Sequence, residues 1–268
     1  MFFAGDGIKV RIALLGILLL LAGCSRTPDE QSLQLFLEAQ EAFEKAEKGT
    51  PAEQPQEFYR VATMFQGLID RGVRSGAIYY NLGNAWLRAE EPGRAIAAYH
   101  LAKRYQPLDP YIASNLQIAL GNITPLEPPT PIMEYVFFWQ NSIGCREKMV
   151  VSVLLAVAAF VSGVFYLFVR HRRLRRLVLV LLVMTLIAVC STGYDWYRFE
   201  WVRQAVVAVK EATPRKGNSE QYEPVFTTPV PLGTIIVVLD ERNDWIRLRF
   251  ASGQDGWLPK DQIVEIHE

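Results

Sequence analysis

Apolar and polar positions divide the chain into regions of different period. Residues 31–120 carry apolar side chains at helical spacing. The sets are Leu33, Phe36, Leu37 and Phe43; Phe58, Val61, Ala62, Phe65, Leu68 and Ile69; Tyr79, Leu82, Gly83 and Trp86; Ala95, Tyr99 and Ala102; and Ile112, Leu116 and Leu120. Recurrence at i, i+3, i+4 and i+7 puts each set on one face of a helix. The spacing predicts helices over 31–48 and 58–70, two more within 76–109, and one over 110–120. Breaks fall at Gly49–Pro55, Gly72 and Pro107. The polar face then disappears. Met149–Val169 is 21 residues without a charge, roughly 31 Å of helix and enough to cross a bilayer's hydrocarbon core. Leu177–Tyr194 is a second uncharged run. Past residue 203 the period falls to two. Valine-rich Ala205–Lys210, Gly233–Leu239, Trp245–Phe250 and Ile263–Ile266 read as short strands. Ile246, Leu248 and Phe250 face one way and Arg247 and Arg249 the other. Turns are expected at Asp240–Asp244 and around Gly253.

Charge placement orients the hairpin. Arg170–Arg176 holds five arginines and no acid, which places that loop in the cytoplasm. Two crossings return the chain to its starting face, so residues before and after the hairpin lie together on the other side. Phe137, Phe138 and Trp139 precede the first span, and Tyr194, Trp196, Tyr197 and Trp201 come after the second. They are placed as an outer interfacial belt. At the N-terminus, Lys9 and Arg11 precede the apolar run Ile12–Ala22 and then Gly23 and Cys24. This is the pattern of a secretory signal. Leu21-Ala22-Gly23-Cys24 resembles a lipoprotein lipobox, which implies lipidation of Cys24; an uncleaved signal anchor is the alternative. Either one exports the residues after 24. Ser25–Glu30 is a tether. Residues 122–148 combine a stiff proline-rich linker (Thr124–Pro131) with an interfacial segment (Ile132–Ile143).

Lysine plus arginine equals aspartate plus glutamate at 28 each. The one dense basic cluster is explained by topology, so nucleic acid is not an expected partner. Three cysteines, all in or beside apolar segments, make neither a disulfide framework nor a zinc site. Cys145 and Cys190 fall near the same membrane face, where a disulfide is geometrically conceivable. No nucleophile–base set, metal cluster or acid pair stands at useful spacing, so neither enzymatic activity nor a cofactor or metal is expected. His100 is isolated and expected on an outer face.

Within 76–109, Tyr79-Tyr80-Asn81-Leu82-Gly83-Asn84, Trp86, Ala95, Tyr99, Ala102 and Pro107 resemble a tetratricopeptide repeat. Residues 31–72 resemble a degenerate repeat, and 110–120 a capping helix. The resemblance implies partner binding in a groove lined by each repeat's first helix. Asn81, Asn84, Arg88 and Asn115 are the candidates there, since amides hold a peptide backbone and Arg88 meets a carboxylate. Simple solvation of the asparagines is the alternative. In the C-terminal part, Gly233-Thr234, Asp244-Trp245 and Gly256-Trp257-Leu258-Pro259 resemble bacterial SH3-like domains. That implies peptide or cell-wall binding through surface aromatics, with Tyr222, Trp245, Trp257 and Pro259 as candidates. Gln262 stands where SH3 domains of eukaryotes carry a groove tyrosine.

The expected fold class is therefore a multidomain membrane protein. It joins all-α tetratricopeptide helical repeats (31–121), a two-helix transmembrane hairpin (149–194) and an all-β SH3-like small barrel (203–268). The arrangement resembles the BatE proteins of the Bacteroides aerotolerance group. The resemblance implies a non-enzymatic scaffold in the bacterial inner membrane, with its soluble parts in the periplasm. It also implies von Willebrand A-type Bat proteins and a MoxR-type AAA+ ATPase as partners, in a complex linked to stress tolerance. The alternative expectation is an envelope protein that binds peptidoglycan or peptide through the barrel.

Overall fold

The computed structural model describes residues 30–126 and 139–266. The signal segment with Cys24, most of the tether, and residues 127–138 of the linker and interfacial segment lie outside the described residues. Five helices form the first unit: α1 (Glu30–Glu47), α2 (Gln54–Asp70), α3 (Gly76–Arg88), α4 (Pro92–Tyr105) and α5 (Pro110–Leu120). Their boundaries follow local chemistry. Pro92 and Pro110 sit in first turns, where a missing N–H costs nothing. The Ser75 hydroxyl accepts from the Ile78 amide and Asp109 from the Tyr111 amide, satisfying amides the helix leaves open. After α2, Gly72 (φ +82°) lets its own N–H reach the Ile69 carbonyl and that of Val73 reach Leu68. This is a Schellman stop.

Each helix packs on the next in sequence. Tyr79, Tyr99, Phe58, Phe65 and Ile96 are fully buried between them. A Cβ on Gly83 would lie 2.5 Å from the Tyr99 ring, so the missing side chain is what lets α3 and α4 close on that ring. The large-against-small alternation in the sequence is realised here. On α1 the apolar set needs correction. Ser32, Ala39 and Ala46 are buried with Phe36 and Phe43 beside them, whereas Leu33 and Leu37 are more than half exposed. An end helix has a neighbour on one side, so half of a wide apolar stripe is left outside.

Two long helices come after the four-residue α6 (Trp139–Ser142): α7 (Cys145–Val169) and α8 (Arg172–Trp201). They pack on each other, with Ser152 and Ala159 buried and Gly163 half-buried at the seam. Small residues at such a seam let backbones approach. Nearly all the remaining apolar side chains of both helices face outward. Both are long and apolar enough to cross a membrane. They are neither buried, as a soluble core helix would be, nor N-terminal. The arginine-rich segment is not a loop. Arg170 (φ +50°) and His171 alone join the helices, and Arg172–Arg176 form the first turns of α8. Four positive charges at the positive end of a helix dipole are unfavourable by themselves. Their exposure leaves them to water or anionic headgroups.

The C-terminal unit is an antiparallel sheet of β1 (Gln204–Val207), β4 (Ile235–Arg242), β5 (Trp245–Arg249), β6 (Asp255–Pro259) and β7 (Ile263–Ile266). Its order is β6-β5-β4-β1-β7, and a two-stranded piece of β2 (Glu211–Ala212) and β3 (Val230–Pro231) accompanies it. The strand β4 runs through Arg242, past the turn expected at Asp240–Asp244. A bulge between Val238 and Asp240 absorbs the change of register, and the turn contracts to Asn243–Asp244, with Asn243 at φ +54°. Alternation on β5 is as the sequence predicts. The outward Arg247 and Arg249 both bond Asp255, whose carboxyl they hold below its ordinary range, Arg249 most.

The helical unit and the sheet form one body. The buried face of β1 is double. Ala205 and Val207 enter the sheet's own core, while Val206, with Leu232 and Ile266, joins the helical core. That explains a valine run without alternation. At Gly93 of α4 a Cβ would meet the Ala208 Cα at 2.6 Å. At the other end of α4, Arg104 donates to the Gln204 side chain (3.0 Å), and its guanidinium lies 4.8 Å from the centroid of Phe199 on α8. Helices, sheet and hairpin therefore meet at Arg104. Since the helical unit and the sheet pack together, they lie on the same side of any membrane the hairpin crosses.

Candidate functional site

Three polar arrangements stand out against this largely apolar packing. The first is inside the helical unit. Asn84 accepts from the Tyr99 hydroxyl (2.8 Å) and from the Asn115 amide (2.7 Å), and Asn115 also donates to Tyr80 (3.0 Å). Burial, with Tyr80 adding, pushes the Tyr99 hydroxyl well above its ordinary range, so it stays protonated and donates. Thus Asn84 and Asn115 of the expected groove do come together, but they are spent on joining α3, α4 and α5. Arg88 is exposed and reaches Glu47 of α1 (3.3 Å), lying over Phe58. It closes the first helix onto the third. Asn81 is half-buried on α3.

The second arrangement is a cleft of about 730 Å³ between α2, α3, α4 and β7. Tyr59, Trp86 and Arg94 are among the residues that line it. The two rings meet edge to face at 5.1 Å, and the Arg94 guanidinium lies 4.7 Å from the Trp86 centroid. Among the described residues no carboxylate pairs with Arg94. A stacked guanidinium keeps its edge N–H donors available to a planar anion. Gln66, Asp70 and Arg74 line one flank and Glu265 another. Trp86 reads as a helix-packing residue in the sequence and is 7% exposed, whereas Tyr59 falls outside the apolar set of its helix and is 43% exposed.

The third lies where the hairpin leaves its apolar zone. Lys148 of α7 and Asp195 of α8 are 5% exposed each and pair at 2.6 Å. Lys148 also donates to the Gln140 carbonyl (2.7 Å). The Gln140 side chain donates to Asp195 and accepts from Ser191. Ser152 and Thr192 meet one turn further in. This fastens α6 to both long helices. In the sequence both charges stand just outside the uncharged runs, where no local pattern gives them a role.

The sheet candidates separate. Tyr222 is half exposed. Trp245 and Pro259 are half-buried and lie opposite each other across β5 and β6. Trp257 is not a surface aromatic: it is 8% exposed, with Arg242 over its ring at 5.4 Å. It shares the outward face of Arg247, its partner across β5 and β6, and is covered there while Arg215 bridges its backbone; it belongs to neither core. His100 is not on an outer face. It shares the α4 face of Ile96 and Arg104, which packs on the sheet, and is half-buried. Burial, then Lys103 and Arg104, push its imidazole down to about 4. Cys145 and Cys190 are not joined by a disulfide.

No family model, curated protein or solved structure matches the chain.

Proposed function

We propose that this chain is a membrane-anchored adaptor that captures a polypeptide partner. The carrying observation is the cleft lined by Tyr59, Trp86 and Arg94 on a rigid body attached to two apolar helices. Aromatic rings with a guanidinium that lacks a carboxylate partner among the described residues suit a segment offering one apolar side chain beside one carboxylate. The helical unit is read as tetratricopeptide-like, the sheet as an SH3-like small barrel, and the hairpin as a double crossing that leaves both in the periplasm. The resemblance to BatE proteins makes von Willebrand A-type Bat proteins and a MoxR-type ATPase the first partners to look for, and on this reading the protein is not an enzyme. Gentle detergent extraction with cross-linking is expected to recover such partners. Arg94→Glu should lose them while the variant still folds. Recovery of a lone monomer from cross-linked membranes, or partners unaffected by Arg94→Glu and Tyr59→Ala, would refute the reading. The exposed Tyr222 favours a second reading, in which the sheet holds peptidoglycan. Sedimentation with purified sacculi that is lost on Tyr222→Ala would support it.

A further inference from the structure

The direction of α4 fixes which end of the soluble body lies nearest the hairpin. Its start touches Ala208 and its end touches Gln204 and Phe199. The strand β1 thus runs away from the hairpin as α4 runs toward it. The two lengths agree, at about 16 Å of helix against about 13 Å of strand. At the C-terminus of α4, a Cβ on Gly144 would lie 3.0 Å from the Tyr105 carbonyl. Gly144 caps α7 five residues before Met149, about 7 Å above the uncharged run and so at headgroup depth. The chain then turns back through residues 106–109 into α5. That turn carries Leu108 and the first turn of α5 carries Tyr111, 75% and 71% exposed, the two most exposed large apolar side chains among the described residues outside α7 and α8. The turn between α2 and α3 lies beside it, since a Cβ on Gly76 would meet the Gln106 side chain at 2.6 Å. It adds the exposed Arg71, and α4 adds exposed Lys103. Asp70, Asp109 and, beside Gly144, the exposed Glu147 are the acids there. Gln66 bonds Asp70, and Asp109 caps α5.

We infer that the turn joining α4 and α5 is a third membrane contact: Leu108 and Tyr111 enter the headgroup layer of the bilayer that the hairpin crosses, with Arg71 and Lys103 facing lipid phosphates. The inference rests on the hairpin being membrane-embedded. Lipid, rather than a protein, is the occupant because the patch continues the surface of the hairpin, where Tyr194, Trp196, Tyr197 and Trp201 are all more than half exposed. An apolar tip flanked by bases is also the composition that binds at bilayer interfaces. The consequence is a body seated on the membrane with α4 near the normal, which sets the height of the cleft.

The test uses the full chain with Cys24→Ala, Cys145→Ala and Cys190→Ala, in phosphatidylethanolamine–phosphatidylglycerol vesicles. An environment-sensitive fluorophore is placed on Leu108→Cys, Ile118→Cys or Val161→Cys. Ile118 is exposed on α5, about 12 Å along the helix from Pro110. Nitroxide near the lipid headgroup should quench the label at 108 several-fold more than at 118, and deep nitroxide should quench the label at 161. Quenching at 161 without quenching at 108 overturns the inference and leaves the hairpin reading intact. Absence of quenching at 161 overturns the hairpin reading itself. Labels at 108 and 118 both shielded from an aqueous quencher, with neither quenched by lipid, would mean a protein surface covers α5, and would also overturn the inference.

Discussion

Replacing one member of the Lys148–Asp195 pair should be far more harmful than replacing both. The two side chains are 4% and 7% exposed, and the ammonium also holds the Gln140 carbonyl. Removing either one leaves the other buried without its counter-charge, which typically costs ~3–5 kcal/mol. The apolar double variant Lys148→Met/Asp195→Leu removes both desolvated charges, and such replacements lie within a few kcal/mol of neutral in either direction. A double-mutant cycle should therefore give a coupling of about 3 kcal/mol or more. If the pair were wet, snorkelling side chains would reduce the coupling to ~1 kcal/mol or less. The assay is reversible unfolding in mixed micelles, followed by tryptophan fluorescence and the mobility of a label on α6. Each single variant should also loosen α6, because Gln140 loses a partner in both. Single variants costing under about 1 kcal/mol, or a double variant as unstable as the sum of the singles, would refute a dry, mutually dependent pair.

Other consequences can be read at separate sites. Gly83→Leu drives a branched side chain into the Tyr99 ring and should cost ~1–3 kcal/mol or more in thermal unfolding; an unchanged Tm would contradict the α3–α4 packing. Gly93→Val meets backbone at Ala208 rather than a flexible tip, so the sheet should separate from the helices. Proteolysis between the units should then rise while the helical content by circular dichroism stays. His100 has its folded value lowered from 6.5 to about 4. Its neutral form therefore stabilises the fold above about pH 6.5, and that contribution is lost as pH falls from there towards 4, by at most ~3 kcal/mol. His100→Gln should flatten the pH dependence of unfolding over that window.

Much of the fold is set by period alone. The helices of the first unit lie within a few residues of the apolar sets that predict them, and the Gly83–Tyr99 fit reflects alternating large and small residues. Apolar runs of bilayer length became α7 and α8, but charge hid their true ends. Uncharged windows stop at Met149 and Tyr194, whereas the helices continue through Lys148 and Asp195, whose charges satisfy each other. No local pattern shows that pairing, because the partners are 47 residues apart. The arginine cluster reads as a loop from composition, yet arginine is a good helix former and α8 begins within it. Site residues are less legible. Asn84 and Asn115 read as groove amides; their partners, Tyr99 and Tyr80, come from facing helices and tie the half-buried amides into the packing. Trp257 reads as a ring for binding, but Arg215 bridges its strand from a loop some forty residues away. The cleft is hidden because Trp86 has helix-core spacing and Tyr59 belongs to no apolar set, and the shared core with the sheet is hidden because Val206 has no distinctive neighbour in sequence.

The central claim is that helices and sheet form one body on one side of a membrane crossed twice. It is tested most directly by labelling single cysteines with an impermeant thiol reagent in a chain with Cys24→Ala, Cys145→Ala and Cys190→Ala. The sites are Glu90→Cys on the far turn of the helical unit, Asn243→Cys in the β4–β5 turn and Arg173→Cys at the start of α8. In intact cells with the outer membrane opened, positions 90 and 243 should label together, and position 173 only after the inner membrane is permeabilised. Labelling of 173 alongside the other two, or of 90 and 243 on opposite sides, would contradict the account.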